Sequence, residues 1–156
     1  MKESSIGLDR AKTEGLVQSL NILLANYQMY YQNVRGLHWN IKGKNFFDLH
    51  VKFEEIYTDS QEKVDMIAER ILTLGGTPLH TFEDYIELTN VPIGKNVSED
   101  TKAIELVVKS LSELLKIERQ LLEESDSADD EGTNAMMSDF ISEQEKLIWM
   151  MNAWLS

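Results

Sequence analysis

Apolar side chains recur at steps of three and four through most of the chain, and no stretch alternates apolar with polar long enough to compete as a strand. That period marks helices with one buried face. Leu16, Leu20, Leu23, Tyr27, Tyr30, Val34 and Leu37, widened by Val17, Leu24 and Tyr31, predict a first helix from about residue 9 to 37, with Gly36 and Gly43 marking its end and the following turn. Leu49, Phe53, Ile56, Val64, Ile67, Ile71 and Leu74 predict a second, from near Asn45 to Gly75-Gly76, where glycine suits a left-handed cap. Ile104, Val107, Val108, Leu111, Leu114, Leu115, Leu121 and Leu122 form a third stripe, introduced by Ser98-Glu99-Asp100 as cap and acidic first turn. It ends in the acidic run Glu123 to Glu131, read as a solvated loop. Met137, Phe140, Ile141, Leu147, Ile148, Met151, Trp154 and Leu155 form a fourth that runs almost to the C-terminus.

Both prolines, Pro78 and Pro92, fall between the second and third stripes. The connection from Gly75 to Val97 is too long for a plain hairpin loop, and Thr81 to Leu88, with a capping threonine and acidic first turn, predicts a short extra helix within it. A helix of about 30 residues is roughly 45 Å long, and a connection of this size can return along it. The expected fold is therefore all-α, one domain over residues 1–156: a four-helix bundle of ferritin-like connectivity, with a short extra helix in the long crossover between helices two and three.

Composition narrows the function. With 42% hydrophobic residues in 156 the chain can bury a core, and the absence of cysteine excludes disulfides, zinc ribbons, iron–sulfur clusters and thiol chemistry. The 27 acidic against 15 basic residues, a formal charge of −12, repel phosphate and draw cations. No signal peptide or membrane span is evident, so a soluble cytoplasmic protein is expected.

Three histidines are present, and His38 and His50 stand close together around the turn between the first two helices. Glu54 follows His50 by one helical turn, and Asp65 with Glu69 repeats the i, i+4 spacing further along. Imidazole and carboxylate at that interval point the same way and suit a first-row transition metal. Positions 50, 54, 65 and 69 share one stripe, yet the two pairs lie roughly 16 Å apart along the axis, too far for one centre. They share a midpoint between Asp59 and Ser60. Two copies packed antiparallel about a two-fold axis there would bring the His50/Glu54 end of one against the Asp65/Glu69 end of the other, twice. The competing reading is a solvated acidic face, with Lys63 and Arg70 making ordinary ion pairs; His80 has no carboxylate at helical spacing and reads as structural or solvated.

Asn33-Val-Arg-Gly-Leu-His-Trp-Asn-Ile-Lys-Gly43, then Phe46-Phe-Asp-Leu-His-Val-Lys-Phe-Glu-Glu-Ile-Tyr57, then Asp65-Met-Ile-Ala-Glu-Arg-Ile71 closely resemble the Dps family of miniferritins, the DNA-binding proteins from starved cells. The likeness spans essentially the whole chain, including Gly75-Gly-Thr-Pro78 and Ile148-Trp-Met150. The resemblance implies a hollow dodecamer and a ferroxidase centre at its two-fold interface, with His38 and His50 as iron ligands from one subunit, Glu54 beside them, and Asp65 and Glu69 from the partner. Trp39 matches a family tryptophan near the iron, read either as an electron donor that quenches radicals or as a packed interface aromatic; Tyr30 and Tyr31 read as core.

The implied reaction is oxidation of Fe(II), two ions per centre, preferably by hydrogen peroxide, with ferric mineral stored inside. Asp129, Asp130, Glu131 and Asp139 are the candidates for acidic pores, although Gly132 and Ala135 stand where some relatives carry Asp. DNA binding is expected to be weak or absent, since Lys2 and Arg10 are offset by Glu3 and Asp9 and neither terminus is lysine-rich. Two rivals remain: a non-enzymatic acidic bundle that binds a basic partner, and a within-subunit di-iron oxidase, disfavoured because the paired Glu-x-x-His motifs of such bundles are missing.

Overall fold

The computed structural model describes residues 2–156, and among them five helices and no strand are found: α1 (Arg10–Asn40), α2 (Phe46–Thr73), α3 (Phe82–Leu88), α4 (Asp100–Ser127) and α5 (Glu131–Leu155). The four long ones form the expected bundle and α3 lies in the crossover. None is long and apolar enough to cross a membrane. The predicted stripes face inward: Leu16, Leu20, Leu23, Tyr27, Phe53, Ile67, Ile71, Leu114, Leu121 and Met137 are almost completely buried. Two expectations fail here. Tyr31 is only half-buried, edge-on to Tyr57, and Trp154 stays 39% exposed near the end of α5.

The helix ends differ from expectation where local chemistry allowed more than one outcome. Asp9 caps α1 through its side chain, accepting from the N–H groups of Ala11 and Lys12. The helix then passes through Gly36, because a single glycine costs about 1 kcal/mol in a helix and does not by itself stop one. The turn comes at Gly43, whose φ of +115° is a conformation that side chains disfavour. At the other end of α2, Gly75 at φ +89° donates to the Leu72 carbonyl and Gly76 to that of Ile71, the double bond of a Schellman cap.

Ser98 does not cap α4. Its carbonyl instead accepts from the Lys42 N–H, and Asn45 donates to the Asp100 carboxylate, so the turn between α1 and α2 is tied to the start of α4. Nor is the acidic run a loop. Glu123 to Ser127 continue α4, only Ala128, Asp129 and Asp130 connect it to α5, and Asp129 makes the turn at φ +56°. Asp130 caps α5 by accepting from the Thr133 N–H.

The crossover is held by asparagines of α1. Asn21 accepts from the Leu79 N–H and donates to the Thr77 carbonyl; Asn26 accepts from the Asn90 N–H; Asn33 accepts from the Gly94 N–H and donates to the Pro92 carbonyl. A connection without regular structure has its backbone groups satisfied by side chains.

Candidate metal centre

α1 ends and α2 begins at one corner of the bundle, and that corner places His38 against His50. The rings stack with centroids 3.7 Å apart and an interplanar angle of 14°. Nδ1 of His38 lies 2.6 Å from the His50 carbonyl oxygen, and Nδ1 of His50 lies 2.6 Å from that of His38. A carbonyl oxygen can only accept, so each Nδ1 carries the proton and donates it. In the neutral ring this leaves each Nε2 with a lone pair, the tautomer a metal ligand requires. Phe46 stacks on the outer face of His50 at 4.9 Å, and Tyr57 meets His38 edge-on at 5.3 Å. Aromatic contact and reciprocal hydrogen bonds thus fix both imidazoles before any ligand arrives.

Glu54, Asp65 and Glu69 project from exposed positions of α2. Among the described residues no group of three or more histidine or acidic side chains converges to hold a metal ion within one chain. The histidine pair therefore lacks a converging carboxylate from its own subunit, and Asp65 with Glu69 lacks an imidazole. Trp39, 58% exposed, stands beside this corner with the Arg35 guanidinium 5.0 Å from its ring; the same guanidinium lies 5.8 Å from Tyr31 and 5.9 Å from Tyr57.

A family model for the ferritin-like domain matches residues 17–156. The crystal structure of a DPS protein from Vibrio cholerae O1, a member of a broad superfamily of ferritin-like diiron-carboxylate proteins, superposes with a TM-score of 0.98 at 49% identity, over 100% of this chain and 98% of that one. The DNA protection during starvation protein of Porphyromonas gingivalis is 39% identical over 95% of this chain and 93% of its own length. The chain belongs to the Dps family of ferritin-like proteins. Within that family, a Listeria innocua Dps variant (30% identity, 90% of this chain, 93% of that one, TM-score 0.86) carries glycine in place of two histidines at the same separation as His38 and His50.

In this Dps-family chain the other sequence candidates divide. His80 is exposed, as expected of a solvated residue, with Nδ1 at 3.0 Å from the Pro78 carbonyl. Asp129, Glu131 and Asp139 are exposed, whereas Asp130 is 1% exposed and cannot line a pore. Its carboxylate accepts from the Thr133 hydroxyl at 2.5 Å and from the Arg70 guanidinium at 2.5 Å. The ordinary surface pairs expected of Arg70 and Lys63 are thus corrected: each has one buried partner, Asp130 in the first and Lys63 itself in the second. Lys63, 5% exposed, reaches Asp59 at 2.5 Å and Glu143 at 2.8 Å. Burial alone would lower its pKa, but the hydrogen bonds to Asp59 and Glu143 outweigh this and hold it above the ordinary value.

Sequence reasoning missed a buried polar group in the centre of the bundle. The Tyr27 hydroxyl donates to Glu118 at 3.0 Å, and the Gln144 amide donates to Glu118 at 3.0 Å and to the Tyr27 oxygen. Burial pushes the Glu118 carboxyl up to about 8, although the bonds from Tyr27 and Gln144 pull the other way. The only signal in the sequence was a glutamate on the apolar face of α4, four residues after Leu114 and three before Leu121.

Proposed function

We propose that this protein oxidises Fe(II) at centres completed between two chains and stores the ferric product inside a hollow homo-oligomer, a dodecamer by family resemblance. Iron storage and protection against oxidative damage are what membership of a ferritin-like, diiron-carboxylate family supports. The observation that carries the interface reading is the His38/His50 pair. Each Nε2 is left for a ligand, both rings are immobilised, and among the described residues one chain by itself gathers no group of three ligating side chains.

His38, His50 and Glu54 from one chain, with Asp65 and Glu69 from its partner, would hold two Fe(II). Imidazole and carboxylate together suit Fe(II), and the carboxylates favour the Fe(III) product. Each iron gives one electron to hydrogen peroxide, the O–O bond breaks, and with two protons the oxygens leave as water, so no hydroxyl radical escapes. Trp39 is placed to donate an electron should a radical form. Exposed apolar side chains, Trp39, Phe47 and Val51 near the corner and Phe82 and Ile86 on α3, which buries none of its residues, give a partner chain something to cover.

Direct DNA binding is weak or absent in this reading, and the site of action is the cytoplasm. Residues 2–10 fold back on themselves, with the Arg10 N–H donating to the Lys2 carbonyl and its guanidinium to that of Glu3. The test is the rise in ferric absorbance after Fe(II) and peroxide are mixed with the protein. Wild type should oxidise rapidly, and His38→Ala/Asp65→Ala should fall at least tenfold while the oligomer persists on size-exclusion chromatography. Unchanged rates in that variant would overturn the reading.

A further inference from the structure

The bundle encloses a polar constellation that the surface centre does not use. Glu118, 0% exposed, meets Tyr27 and Gln144 in the core. Oε1 of Glu118, Oε1 of Gln144 and the Tyr30 hydroxyl are buried there with no hydrogen-bond partner. A cavity of about 230 Å³ opens beside them through the seam between α2 and α5, lined by Tyr27, Tyr30 and Gln144 and by Asp59 and Glu143. Buried polar atoms left unpaired need a reason.

Inward carboxylates are how ferritin-like bundles hold metal ions. Here Glu118 alone faces inward, Asp59 and Glu143 stand more than half exposed at the mouth, and with Lys63 in place no three such side chains converge among the described residues. So many oxygens would nevertheless ordinarily invite a hard divalent cation. The residues present do not fit one, because a cation is already built in. The Lys63 ammonium lies in the cavity wall, bonded to Asp59 and Glu143 and 5.3 Å from the centre of the Phe140 ring. It claims the two carboxylates at the mouth and sets a positive charge against any metal that enters. We propose that Lys63 is an internal counter-cation that bars divalent metal from the bundle interior and so confines iron to the surface of α2. Glu118 completes the exclusion: burial raises its pKa to about 8, so near neutrality it keeps its proton and is a poor ligand.

The test uses the assembled full chain and Co(II) in mildly alkaline buffer, where Glu118 is free to ionise, with stoichiometry by equilibrium dialysis and position by anomalous scattering. Wild type should hold Co(II) only outside the bundle. Lys63→Gln should bind one further Co(II) per chain among Glu118, Asp59, Glu143 and Gln144, and adding Glu118→Gln should weaken that binding at least tenfold. A folded Lys63→Gln with wild-type stoichiometry would overturn the proposal, as would Co(II) inside the wild-type bundle, which needs no variant. Should Lys63→Gln not fold, Lys63→Met, which keeps the packing of the side-chain stem, carries the same comparison. Because the readout is where the metal sits, the result stands apart from the outcome at His38 and His50.

Discussion

His38 and His50 each give one ring nitrogen to the backbone of the other's helix. A ligand of this kind has a second task, closing the turn between α1 and α2, so its removal should be felt twice. His50→Ala is expected to lose at least tenfold in iron oxidation and, by loss of a partly buried hydrogen bond, about 1 kcal/mol of stability, seen as a lower denaturant midpoint. His50→Gln, which can still donate to the carbonyl, should recover most of the stability and none of the activity. Glu118 makes a separate prediction about pH. Its folded pKa, about 8, lies above its ordinary value of 4.5, so its contribution to stability is complete below the ordinary carboxyl range and erodes as pH rises towards 8. Glu118→Gln should therefore flatten the decline of unfolding free energy between those limits, measured by denaturant titration over a pH series; a parallel decline in both proteins would refute it.

The helices were legible because a 3.6-residue period is a local signal repeated over many turns, and the middle of each predicted stripe is buried while flanking positions such as Val17, Val64, Leu115 and Leu147 are only half-buried. Their ends were not. Gly36 permits a stop without requiring one, Ser98 had a backbone partner in Lys42, and Glu123 to Ser127 sit on a helix whose apolar face had already committed it. The candidate site was legible in part for a related reason. Spacing on one helix put His50, Glu54, Asp65 and Glu69 on one stripe, but the locking of His38 to His50 depends on a contact across the turn that no period encodes. The same holds for Lys63, Arg70 and Glu118, whose partners are far along the chain, and for the asparagines that hold the crossover. Replacing Asn33 with Ala leaves the Gly94 N–H and Pro92 carbonyl without their partner and should cost about 1–3 kcal/mol. Gly132→Ala is expected to cost a similar ~1–3 kcal/mol, since a Cβ there would lie 2.7 Å from the Arg70 guanidinium and push it off the Asp130 carboxylate and the Thr133 hydroxyl that hold it. Thermal unfolding of both variants checks these values.

At the scale of the whole molecule, His50, to which His38 of α1 is locked, and the Asp65/Glu69 pair sit far apart along one rigid helix, so the two halves of the proposed centre cannot meet within a chain. Two inactive proteins should therefore rescue each other. His38→Ala supplies intact carboxylates and Asp65→Ala intact histidines; unfolded together and reassembled at random, half the pairs are mixed and each restores one centre of two, about one quarter of wild-type activity. No recovery with assembly intact would rule out shared centres. The charge of −12 sets a second expectation, that supercoiled plasmid migrates unretarded in a gel-shift at neutral pH and physiological salt.

The way the helices pair bears on how the protein responds to its solvent. α1 packs closely on α2, α4 on α5, and α1 on α4, while α2 and α5 hardly approach backbone to backbone. Across that gap reach Lys63 to Glu143 and Arg70 to Asp130, the second nearly enclosed and the first open to water on its acidic side. The bundle resembles a book with an oily spine and ionic clasps. A strongly salting-out electrolyte such as sulfate tightens apolar contact and weakens exposed ion pairs, so it should bind the spine more firmly while loosening the outer clasp.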